Sequence, residues 1–184
     1  MTAMITARDE ILLHTPALRA FALSLCHSPD RADDLVQDTL MRAWGHFGSF
    51  RPGTQLRSWL FTILRNGFYS DLRKHRREVA DPEGAFVARL AVGPAHDGAI
   101  ALGEFLRAFA RLSPEHREVV TLVGALGFSY DEAAHVTGLP VGTVKSRVCR
   151  ARAILGDNPL PRSDGATLAI LARSMSCEAE RIAG

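Results

Sequence analysis

The chain has 184 residues, of which 47% are hydrophobic and 23% charged, and its formal net charge is +2. That is enough apolar material for one ordinary domain or two small ones, and it excludes wholesale disorder. So small an excess charge also excludes nucleic-acid binding by bulk charge: any such surface must come from how the charges are distributed.

Cys26, Cys149 and Cys177 are odd in number and widely scattered, which gives neither a disulfide framework nor a CxxC metal clip. A reduced, cytoplasmic setting is the expectation. No apolar run reaches the roughly 18 residues of a membrane span. The first ten residues lack the basic-then-apolar order of a signal peptide.

The predicted elements are all helical; no run shows the period-two alternation of a strand. Apolar residues recur at helical spacing from Leu12 to Cys26. Ser28-Pro29 reads as an N-cap followed by a first-turn proline. The helix it opens carries Val36, Leu40, Ala43 and Phe47 as one apolar stripe. Gly48 to Gly53 (GSFRPG) is a loop, and a long helix follows from about Gln55 to Arg77. Residues 79–98 hold Pro and Gly without sustained periodicity and read as a linker, with a short apolar piece at 85–92.

A second helical unit spans about 100–155. Ser113-Pro114 repeats the cap-plus-proline signal, Val119, Leu122, Val123 and Leu126 form a buried face, and Gly127 ends the helix. Ser129-Tyr130-Asp131-Glu132 is a capping box. Residues 157–184 form a tail with a weak helical pattern between Ala166 and Arg181. No internal repeat is visible.

Two short helices close this second unit. Ala133 and Ala134 permit close helix crossing, Gly138 sits at a turn that favours positive φ, and Leu139 fills the corner. Val144, Val148, Ala151 and Leu155 then make a single buried stripe. Lys145, Arg147, Arg150 and Arg152 lie between them, with no acidic residue from Val141 to Leu155. This is the pattern of a helix-turn-helix whose second helix enters the major groove. Thr143, Lys145, Ser146 and Arg147, near its N-terminus, are candidates for base-edge or nearby phosphate contacts. Arg150 and Arg152 are placed to grip phosphates. Cys149 reads as small filler.

Two further constellations precede it. Asp30, Asp33, Asp34 and Asp38 against Arg31 make an acidic stretch. The helix dipole accounts for acids in a first turn, yet Asp34, Gln37 and Asp38 also share the polar face. A solvated face and a basic protein partner are both open. The long helix is the reverse: Arg65, Arg73, Lys74, Arg76 and Arg77 outweigh Asp71 and Glu78. Phe50, Trp59, Phe61, Phe68 and Tyr69 flank them. Cations interleaved with rings suit single-stranded DNA, although Trp59 and Phe61 at helical spacing also fit a core, Phe50 in the loop less so. No catalytic residue emerges. The seven histidines form no HExxH or paired-carboxylate spacing and no phosphate-binding glycine loop exists, so neither enzyme chemistry, metal nor cofactor is expected.

Taken in order, these constellations resemble the extracytoplasmic-function sigma factors of bacterial RNA polymerase. DRADDLVQDTLMRAW (30–44) is similar to the family's polymerase-binding region. RSWLFTILRNGFYSDLRKHRR (57–77) is similar to its promoter-melting region. The segment 112–155, ending in GFSYDEAAHVTGLPVGTVKSRVCRARAIL, is similar to sigma domain four. The resemblance implies an all-α chain with sigma domain two at 10–78, a flexible linker at 79–98, sigma domain four at 99–156 and a tail of open role at 157–184.

It also implies roles. Asp34, Gln37 and Asp38 would contact core polymerase. The loop of Phe50, Arg51, Thr54 and Arg57 would capture a flipped −10 base of the non-template strand, and Arg65, Asn66, Arg73, Lys74 and Arg77 would hold its backbone. Thr143, Lys145, Ser146, Arg147, Arg150 and Arg152 would read or grip the −35 duplex. FxxSLC, FRPGTQLRSWLFTILRN and GFSYDEAA resemble the general-stress-response subgroup, which implies a small anti-sigma partner. The alternative is a helix-turn-helix regulator that binds an operator without joining the polymerase.

Overall fold

A computed structural model describes residues 7–26, 28–50, 55–78, 105 and 107–156. All of its regular elements are helical: α1 (Ala7–Leu13), α2 (Thr15–Cys26), α3 (Pro29–Gly45), a 3₁₀ turn (Phe47–Ser49), α4 (Leu56–Glu78), a helical stretch at 107–110, α5 (Pro114–Val120), α6 (Tyr130–Thr137) and α7 (Val141–Leu155). The expected linker at 79–98, with its piece at 85–92, and the tail at 157–184, with its weak helix, lie outside the described residues.

The helix starts follow the local chemistry read above. Ser28 accepts a hydrogen bond from the Arg31 amide with Pro29 just inside α3, and Ser113 does the same for the His116 amide ahead of Pro114. Ser129 accepts from the Glu132 amide while the Glu132 carboxylate accepts from the Ser129 amide at 2.7 Å, so both halves of the capping box are made. Gly138 ends α6 at φ +67° and Gly127 stands at φ +68°, left-handed positions that disfavour a Cβ.

Two expectations are corrected. The helical spacing from Leu12 to Cys26 is broken at His14, because Pro16 has no amide hydrogen with which to continue the ladder from α1. The helix opened by Pro114 is also not α-helical throughout. Residues Thr121–Ala125 widen into a π-turn in which the Leu126 amide reaches the Thr121 carbonyl at 2.9 Å. A six-residue closure from the Phe128 amide to the Leu122 carbonyl, also 2.9 Å, then satisfies an end carbonyl through Gly127. This ending drops both Leu126 and Phe128 into the core.

The separation into two units is legible along the chain but not in the core. Leu18, Phe21, Leu35, Leu60, Phe61 and Leu64 of the first unit share one apolar cluster with Val119, Leu122, Phe128, Val136, Val144 and Val148 of the second. Phe61 is the bridge: its ring lies 5.3 Å from that of Phe21 and 5.0 Å from that of Phe128. Burial of such rings contributes on the order of 2 kcal/mol each. A smaller cluster of Phe105, Phe109, Leu112, Val120, Ala151 and Leu155 belongs to the second unit alone.

Candidate nucleic-acid and polymerase interfaces

The recognition-helix pattern is realised as read. Val144, Val148, Ala151 and Leu155 are buried, and Lys145, Ser146, Arg150 and Arg152 are exposed along the other side of α7, with Thr143 and Arg147 half-buried at its margin. Lys145 Nζ lies 5.7 Å from the Tyr130 ring, which steadies the lysine against α6. Ser146 Oγ donates back to the Thr143 carbonyl at 2.9 Å and keeps its lone pairs for an outside donor. The buried stripe anchors the helix so that Lys145, Arg150 and Arg152 stand in solvent with Arg147 at the margin, cations that a phosphate-lined groove can meet.

The acidic helix divides its carboxylates. Arg19 of α2 donates to both oxygens of Asp33, at 2.5 and 3.1 Å, so Asp33 ties α2 to α3. Asp34, Gln37 and Asp38 are exposed, opposite buried Ala32, Leu35, Val36 and Thr39. Asp38 meets Arg42 only at 3.9 Å, an exposed pair of small energetic weight. The same face continues into Met41 and Trp44, which are 61% and 44% exposed. An acidic patch running into two bare apolar side chains has the mixed composition common to protein-docking surfaces. Sequence reading missed Met41 and Trp44; their signal was the i+7 and i+10 spacing from Asp34.

The long basic helix behaves differently. Phe61 and Phe68 are core, whereas Phe47, Phe50 and Trp59 form a half-buried aromatic group with ring centroids 5.3 to 6.5 Å apart. Asn66 and Arg73 are exposed, with Arg73 Nε donating to the Tyr69 carbonyl at 3.2 Å, and Lys74 is exposed beside them. Arg77 is placed by its backbone near the end of α4; Arg51 and Thr54 lie outside the described residues.

Arg57 and Arg65 point into the second unit. Arg65 donates to the Glu118 carboxylate, and the Tyr69 hydroxyl donates to the other Glu118 oxygen at 3.1 Å. Arg57 donates to the Leu126 carbonyl, and its guanidinium lies 4.0 Å from the centroid of the Phe128 ring. No sequence signal distinguished Glu118 as buried. It is wholly enclosed, and burial pushes its carboxyl up from the ordinary glutamate range, opposed by the charge and hydrogen bond of Arg65 and by the bond from Tyr69. Burial and the neighbouring Glu118 likewise raise the Tyr69 hydroxyl. Among the described residues no group of His, Cys, Asp and Glu could hold a metal, and no helix is long and apolar enough to cross a membrane.

An exposed cationic helix closing a helix-turn-helix, a basic and aromatic long helix, and a separate acidic-apolar face together are the features of a DNA-binding subunit of a larger assembly. The comparisons agree. The Sigma-70 region 2 family profile matches residues 11–78, and that of Sigma-70, region 4 matches residues 102–155. The ECF RNA polymerase sigma factor EcfG of Rhodopseudomonas palustris (strain TIE-1) is 53% identical over 148 residues, covering 80% of this chain and 82% of that protein. The ECF sigma factor SigM of Bacillus subtilis (strain 168) is 33% identical over 136 residues, covering 72% and 82%. Among solved structures, the sigma factor RpoE from Bartonella quintana, in complex with the anti-sigma factor NepR, matches with a TM-score of 0.72 and 50% identity over 84% of this chain and 97% of that one. The chain belongs to the extracytoplasmic-function sigma factors, whose work is promoter-specific initiation of transcription with RNA polymerase.

Proposed function

We propose that the three surfaces divide that work as follows. The face of Asp34, Gln37, Asp38, Met41 and Trp44 docks on core RNA polymerase. The aromatic group of Phe47, Phe50 and Trp59, with Arg51, Thr54 and Arg57 of the adjoining loop and helix start, takes a flipped −10 base. Arg65, Asn66, Arg73, Lys74 and Arg77 carry the non-template backbone. Thr143, Lys145, Ser146 and Arg147 read the −35 duplex, with Arg150 and Arg152 on phosphates. The division of domains is 10–78 and 99–156, joined by the linker 79–98. The carrying observation is the face of α3, where acidic and apolar side chains are exposed together on a chain whose exposed face on α7 is cationic. A regulator that binds an operator alone has no use for it.

The chain acts in the cytoplasm, where the polymerase is. The relatives named EcfG and the RpoE solved with NepR support a small anti-sigma protein as the regulatory partner of this chain. Run-off transcription with added core enzyme over a promoter library tests the reading. Specific transcripts are expected only when both chain and core are present. Tight binding to promoter duplex without core, with no open complex formed in its presence, would favour the operator-binding alternative.

A further inference from the structure

Trp59, of the aromatic group assigned above to a flipped base, lines a cleft of about 480 Å³, within the roughly 300–1,000 Å³ of small-molecule clefts. Ser49, Gln55 and Ser58 share its wall, and all four come from the first unit. The Trp59 ring lies 5.3 Å from that of Phe50 and 6.5 Å from that of Phe47. A flat base laid against these rings presents its edge to the polar side chains of the same wall.

Two of those three side chains are engaged. Ser49 Oγ donates to the His46 carbonyl at 2.7 Å. Gln55 gives a hydrogen bond to Glu132. Ser58 differs. It is only 5% exposed, and its Oγ meets no hydrogen-bonding group of the protein among the described residues. Arg117 Nε and Thr121 Oγ1 are buried in the same condition, but neither residue lines the cleft. One turn further along α4, Thr62 Oγ1 is satisfied, donating to the Ser58 carbonyl at 2.8 Å.

A buried hydroxyl without a partner is a net cost to the folded chain, and alanine at the same place carries no such cost. Local rules broken in this way mark functional positions. A serine hydroxyl offers one proton and two lone pairs, so it can donate to a ring nitrogen or carbonyl of a base and accept from an exocyclic amine. Stacking on rings together with hydrogen bonds to the edge is how a flipped base is read.

We propose, resting on the reading above, that Ser58 is a specificity-determining residue of the −10 site: its hydroxyl hydrogen-bonds the edge of the flipped base that lies against Trp59. The residue is kept for the promoter and not for the fold.

The test uses the full chain with saturating core polymerase and promoters carrying each of the four bases in turn at every −10 position, read by run-off transcription. Ser58→Ala should reduce base preference at one position by roughly 3- to 10-fold, the value of one hydrogen bond, and leave preference at the other −10 positions and at −35 unchanged. Its Tm should not fall, because no hydrogen bond within the protein is lost. Thr62→Ala should show the reverse, a lower Tm with base preference intact at every position. Base preference that survives Ser58→Ala at every position would overturn the proposal. So would a lower Tm of Ser58→Ala with transcription reduced equally for all four bases, the signature of a structural serine. If the unaltered chain with core shows no base preference anywhere in the −10 element, the functional reading itself fails and the role of Ser58 falls with it.

Discussion

Removing one hydroxyl tests how the recognition helix is supported. In Ser129→Ala the Glu132 amide loses its acceptor, which lies at 3.2 Å. The α6 helix it opens has only eight residues, from Tyr130 to Thr137. A helix that short is marginal without its cap and its packing. Loss of an N-cap hydroxyl costs about 1 kcal/mol, with a range of roughly 0.5–2. The reciprocal bond from the Ser129 amide to Glu132 remains available in the variant, which argues for the lower half of that range. For a folded unit of this size, about 1 kcal/mol lowers Tm by about 3–5 °C. Because Ala133 and Val136 of α6 sit in the same cluster as Leu18, Phe21 and Phe61, the whole chain should shift as one transition. Circular dichroism at 222 nm during heating reads both quantities. An unchanged Tm, or two transitions of which only one moves, would refute the argument that the cap and the shared core act together.

Three other outcomes follow from the same geometry. Asp34→Arg and Asp38→Arg should each weaken binding to labelled core polymerase by roughly tenfold or more, through like-charge contact with a basic partner, while leaving Tm within about 1 °C because both side chains are exposed. Arg147→Ala should reduce −35-dependent run-off transcription by roughly 5- to 150-fold, the value of a good base contact, without altering core binding. Iodoacetamide at pH 8 should modify exposed Cys149 and spare Cys26, whose half-buried thiol is pushed up to about 11 by burial and so stays protonated; mass spectrometry of the peptides reads which was alkylated.

A pH titration isolates the capping box. The bonds to Ser129 hold the Glu132 carboxyl below the ordinary glutamate value. A carboxyl lowered on folding stabilises the chain above its unfolded value, and that contribution is lost as pH falls through the lowered folded value. Glu132→Gln should therefore lose stability relative to the unaltered chain at pH 7. The difference should shrink below about pH 4. A difference that persists unchanged at pH 3 would refute the assignment.

What the sequence determined by itself was local. Caps, first-turn prolines, the left-handed glycine at Gly138 and the stripe of Val144, Val148, Ala151 and Leu155 were legible because hydrogen bonds within a turn and 3.6-residue periodicity depend on near neighbours. The exposed acidic face of α3 and the cationic face of α7 were legible for the same reason: once one side of a helix is apolar, the other side is assigned. The break at His14 and the π-turn at Thr121–Ala125 were missed, since competing helical endings differ by less than the packing that selects between them. Only the tertiary structure decided that Phe61 joins two cores into one, and that Arg57 and Arg65 turn inward to Leu126 and Glu118 rather than out to solvent. Those partners lie 69 and 53 residues apart along the chain. A charge in the sequence records its sign, whereas its partner is selected by the desolvation and geometry that folding imposes on both groups at once.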